Sequence, residues 1–188
     1  MEMTFLMSLF REFLDLLGMK LKGLLALTGI LVAILIGLVW YVATHRMMVV
    51  PERMLGQDGA PAKVLIATQG SPYKDAVTRS IARDLTGRGV QVHLRDVTTL
   101  AEVDPDAWDA IVVMHTWEFW MPQRDAREFR LEHGRSENII YLSTSSSGEE
   151  RIEVDAVSSA SMLTDTVEVA QALLQRLSPL IPASTDVP

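Results

Sequence analysis

The chain has 188 residues, with 17 Lys/Arg against 24 Asp/Glu and no Cys. The lack of Cys excludes disulfides, thiolate metal sites and iron–sulfur ligation. Residues 1–62 hold five basic and five acidic side chains, so the whole net charge of −7 lies from Lys63 onward. An acidic domain without a basic stripe excludes a nucleic-acid-binding surface built on phosphate neutralisation.

Residues 1–22 form a first element. Phe5, Leu6, Leu9, Phe10, Phe13, Leu14 and Leu17 recur at helical spacing, with Glu2, Arg11, Glu12 and Asp15 largely off that stripe. Such a helix lies in a membrane interface, packs on a partner, or continues into the segment behind it. Residues 23–43, GLLALTGILVAILIGLVWYVA, carry no charge. At about 1.5 Å per residue this run matches the roughly 30 Å of a bilayer core, and Trp40 and Tyr41 suit its interface.

The run is too long for a signal-peptide apolar region and lacks a small-x-small cleavage site, so residues 23–44 are expected to be an uncleaved anchor. The expected location is a cell inner membrane, crossed once. Arg11, Lys20 and Lys22 precede the span, whereas Arg46 and Arg53 follow it. That bias orients the N-terminus inward and the large domain outside the cytoplasm. Gly29, Ala33 and Gly37 make a stripe of small residues that lets a helix of a membrane protein partner approach closely. Residues 45–62, with Pro51, Gly56, Gly59 and Pro61, read as a linker.

Beyond it strands and helices alternate. Residues 63–67 are a short apolar strand. A helix follows with Val77, Ile81 and Leu85 on one face, ended by Gly87 and Gly89. Strands are expected at residues 90–94, 109–114 and 138–142, and a helix at 122–133. A fifth strand has its one candidate in residues 149–157. The last helix spans about residues 164–177, with Val167, Ala170, Leu174 and Leu177 inward and Asp165 and Glu168 as a capping box. Residues 182–188 read as a loose tail. This alternation gives a doubly wound parallel α/β sheet, whose ligands bind beyond the carboxyl ends of the strands. Residues 68–74, 115–122 and 143–161 fall there.

The strand order, the loop Thr68-Gln69-Gly70-Ser71-Pro72-Tyr73 and the third strand running into His115-Thr116-Trp117 resemble the flavodoxin-like family over residues 63–181. The resemblance implies an FMN site. Thr68, Gly70 and Ser71 would take the phosphate at a helix N-terminus, with Tyr73 closing the loop. Trp117 or Trp120 would cover the flavin ring, and Ser143 and Ser145 would line its polar side. The loop departs from the family pattern in having fewer hydroxyls, and Pro72 removes a donor.

Two functions follow. One is a membrane-anchored FMN protein that exchanges electrons with a membrane redox partner. The other is an accessory or scaffold subunit of a transporter or respiratory assembly, with a degenerate flavin site. A second, local resemblance is that Asp155-Ala156-Val157-Ser158-Ser159-Ala160-Ser161 is similar to the acceptor sequence of proteins carrying covalent FMN. It implies Ser161 as the acceptor, and it departs where Ser159 replaces Gly. The alternative is a Ser-rich turn capped by its own hydroxyls.

His45, His93, His115 and His133 lack metal-like spacing. His115 is either half of an acid–base pair with Glu118 or a polar residue closing a strand. Arg124, Arg127 and Arg130, interleaved with Asp125, Glu128 and Glu132, read as a solvated helix face.

Overall fold

The computed structural model describes residues 2–45, 47–118, 120–134, 136–150 and 156–182. The chain divides into two units, residues 1–46 and 47–188. The first is one continuous helix, α1 (Glu2–His45), so the amphipathic segment and the apolar run are not separate elements. Within it Lys20–Tyr41 is apolar and long enough to cross a membrane, and none of it is buried by protein. The hydroxyl of Thr28 donates to the Leu24 carbonyl at 2.9 Å, which satisfies it without water.

The second unit is a mixed sheet flanked by helices. Its elements are β1 (Arg53–Leu55), β2 (Lys63–Thr68), α2 (Pro72–Gly87), β3 (Gln91–Asp96), β4 (Ala110–Glu118), β5 (Met121–Pro122), α3 (Arg124–His133), β6 (Ile139–Thr144), β7 (Ala156–Ser159) and α4 (Thr166–Leu177). The spatial order is β1-β3-β2-β4-β6-β7, with β5 hairpinned onto β4. The five central strands are parallel. Their order is that of a flavodoxin-like sheet, with the topological switch point between β2 and β4.

Both faces of this sheet are covered, so β2 is buried from Val64 through Thr68 and alternate residues enter different cores. Val64 and Ile66 pack with Val77, Ile81 and Leu85 of α2 and Leu173 and Leu177 of α4. Leu65 and Ala67 pack on the opposite side with Val97 and Leu100 of a 3-10 segment and Phe129 of α3.

Several elements differ from the sequence reading. Residues 47–58 are not a free linker. β1 pairs antiparallel with β3, and the Val50 amide donates to Asp96 Oδ2 at 2.7 Å. The segment thereby covers the hydrogen-bonding edge of β3, which would otherwise be exposed. The fifth strand lies at the Ser-rich stretch, in register with β6 from Tyr141↔Ala156 to Thr144↔Ser159. α4 buries Val169, Ala170, Leu173 and Leu177, while Val167 is 64% exposed. A 3-10 turn at Leu163–Asp165 delays the helix and rotates its apolar face. Asp165 makes no side-chain cap bond; its carboxylate accepts from the Thr164 hydroxyl, so the capping box does not form. The tail from residue 183 lies outside the described residues.

Candidate functional site

The switch point puts the loop after β2 beside the end of β4. Gln69 joins the two. Its Oε1 accepts from the Thr116 amide at 2.6 Å, and its Nε2 donates to Glu118 Oε1 at 3.1 Å. Ser71, with extended backbone, is the N-cap of α2, and its Oγ accepts from the Lys74 amide at 3.2 Å. Pro72 occupies the first turn, where a missing N–H costs no helical bond.

The expected phosphate residues divide. Thr68 is buried, and its hydroxyl turns to the Gln69 carbonyl. The Gly70 amide donates to the Met48 carbonyl at 2.9 Å, and the Met48 amide returns a bond at 3.3 Å. A Cβ at Gly70 would collide with that Met48 oxygen. Glycine is therefore required here for the close approach of the N-terminal segment. Of the loop amides, those of Gln69, Gly70 and Lys74 are engaged and Pro72 has none, whereas those of Ser71 and Tyr73 have no partner among the described residues. A phosphate loop needs amides aimed at the ligand. This loop keeps the Ser71 and Tyr73 amides, at most, for an FMN phosphate.

Ser71 and Tyr73 line a cavity of about 500 Å³ together with Lys74, Thr116, Ser145 and Ser161. The Tyr73 hydroxyl donates to Ser159 Oγ at 2.7 Å, and burial raises its pKa. Ser145 also borders a second cleft of about 300 Å³, where Trp117, Trp120 and Glu150 meet. Trp120 is 88% exposed and has φ +63°. The Trp117 indole N–H is buried with no partner among the described residues. Ser145 and Ser147 both donate to the Glu150 carboxylate, which holds its pKa below the usual range.

Ser143 is fully buried and serves His115 rather than either cavity. His115 Nδ1 faces the Thr116 carbonyl at 3.4 Å, and Nε2 lies 3.0 Å from Ser143 Oγ. Burial pushes its pKa down to about 4, so the ring is neutral, with Nδ1 donating and Nε2 accepting. It does not pair with Glu118, which accepts from Gln69 instead.

Lys74 was missed by the sequence reading. Its side chain is 1% exposed, and its ammonium donates to Thr116 Oγ1 at 2.5 Å. Burial lowers its pKa to about 8, against the opposing pull of Glu118 and Asp75. The signal was present, because Lys74 extends the stripe of Val77, Ile81 and Leu85 by one turn. A lysine on an apolar stripe is placed inward by the helix itself.

No family model matches the chain, and no curated protein matches it. Among solved structures it is similar to a flavodoxin from the domain Archaea, at 11% identity. That match covers 63% of this chain and 98% of the other, with a TM-score of 0.44.

Proposed function

We propose that the chain is a membrane-tethered accessory subunit whose flavodoxin-like domain works without flavin at the first loop. The observation that carries this reading is the paired bond between Gly70 and Met48, which spends the loop's central amide on the protein's own backbone. The apolar helix anchors the domain, and Gly29, Ala33 and Gly37 supply a flat face for a membrane protein partner. The amphipathic stripe of residues 1–22 supplies a second face for partner or lipid. Purification in mild detergent with FMN present tests the reading. The expected protein is colourless, and one retained flavin per chain overturns it.

A second reading keeps FMN and electron transfer. It is favoured by the exposed indole of Trp120 and the unpartnered Trp117 N–H beside one cleft. In that reading the flavin ring lies against the two tryptophans, and Lys74 rather than the loop faces the phosphate. Loss of bound flavin in both Trp117→Ala and Lys74→Met would select it. Covalent attachment at Ser161 would instead leave flavin on the denatured chain.

A further inference from the structure

The carboxyl end of the sheet carries apolar surface that the two cores do not use. Met48, Val49, Trp120, Met121, Met162 and Leu163 are all exposed there. They adjoin one another: Met47 and Leu163 line the larger cavity, Trp120 lines the smaller, and the two cavities share Ser145 and Ser146. Single exposed apolar residues are ordinary, whereas a contiguous group marks a contact surface. Trp120 stands out in this group. It turns the β4–β5 hairpin between Glu118 and Met121 with φ +63°, where glycine, asparagine or aspartate is the usual choice. Neither the turn nor either core uses an indole at that place.

The length of chain leading to this surface decides what covers it. Tyr41 ends the apolar stretch that is long enough to cross a bilayer. The paired bond between Met48 and Gly70 holds the start of the second unit at the carboxyl end of the sheet. Because α1 runs on to His45, the chain from Tyr41 to Met48 reaches about 17 Å at most, at about 1.5 Å per helical and 3.5 Å per extended residue. We propose that the carboxyl end of the sheet rests on the lipid bilayer, with Trp120, Met162 and Leu163 in the headgroup layer. Tryptophan favours that layer, where its ring meets apolar chains and its N–H stays wet. Charges of both signs rim the group, Glu118 and Glu150 against Arg124 and Arg127. Apolar area rather than attraction to anionic headgroups therefore drives the contact. The proposal rests on the reading that α1 anchors the chain.

The test uses the full chain, which has no Cys, so one introduced thiol carries one label. Leu163→Cys is tagged with a nitroxide. Ser178→Cys, beyond the far end of α4 and also exposed, is the reference. Each is reconstituted into phosphatidylcholine vesicles. Collisions with oxygen, which concentrates in lipid, and with a water-soluble nickel chelate are read by electron paramagnetic resonance. The oxygen-to-chelate ratio at Leu163 should exceed that at Ser178 several-fold. Adding Trp120→Ser and Met162→Ser, both at exposed positions, should lower it to the Ser178 value. Equal ratios at the two sites, or a high ratio that survives the double change, overturn the proposal. So does a Leu163 label that is water-exposed in these vesicles but shielded from both reagents in native membranes, which assigns the surface to a protein partner. An alkaline carbonate wash separates the two readings. A chain stripped from the vesicles overturns the anchor and this proposal together, whereas a retained chain with equal ratios overturns this proposal alone.

Discussion

The Gly70 amide and the Met48 carbonyl are 2.9 Å apart, and this short contact joins the N-terminal segment to the first loop of the sheet. It leaves no room for a side chain. Gly70→Ala should therefore destabilise the domain by roughly 1–3 kcal/mol, through a forced shift of backbone against backbone. Denaturant unfolding of the native chain and the variant checks this. An unchanged midpoint would mean that the Met48 segment yields freely and does not close the loop.

Lys74 links the site to pH. Its pKa lies near 8 in the folded chain, against 10.5 as the ordinary value. Between these the unfolded chain binds the proton and the folded one does not, so stability rises with pH from about 8 toward about 10.5. Below that window the buried charge costs about 3 kcal/mol. Lys74→Met should stabilise the domain by about 2–3 kcal/mol near neutrality, with the gain fading as pH climbs through the window. Chemical denaturation across that range measures it, and a Lys74→Met variant less stable than native at neutral pH would refute the unmet charge.

His115 works in the opposite range. The buried neutral ring refuses a proton until about pH 4, whereas the unfolded side chain takes one near 6.5. Stability should thus fall as pH drops from about 6.5 to about 4. His115→Gln should flatten that slope. His93, also held below its ordinary value by burial, leaves part of that slope in place. The slope of unfolding midpoint against pH is the measurement.

In the apolar part of α1, an added Cβ at Gly29 or Gly37 meets open space. The double change Gly29→Leu, Gly37→Leu keeps the helix apolar and adds bulk to its flat face. Membrane insertion should persist while association with a membrane partner, or with a second copy, weakens. Cross-linking and co-purification from native membranes check this, and an unchanged partner set would make the stripe ordinary lipid-facing surface.

The fold was legible because its signals are local. The continuous apolar run at residues 110–114 and the stripe Val77, Ile81, Leu85 each state their burial in sequence. The failures depend on contacts far along the chain. The 47–58 segment contains Pro51 and Gly56, typical of a linker, and only the exposed edge of β3 turns it into structure. β7 reads as a Ser-rich turn because its strand character comes from pairing with β6 rather than from β-branched residues. In the site, Ser71, Tyr73, Trp117, Trp120 and Ser145 do line cavities. Thr68 and Ser143 turn inward, and Gly70 faces Met48. A loop sequence names its donors but cannot say which are already taken.

The central claim is that the first loop of this flavodoxin-like sheet is closed by the chain's own Met48 segment and does not hold FMN. Titrating FMN against the detergent-purified full chain, with flavin fluorescence as the signal, tests it most directly. The account predicts fluorescence unchanged by the protein at every ratio. Saturable quenching at one flavin per chain, abolished by Ser71→Asp, would contradict it.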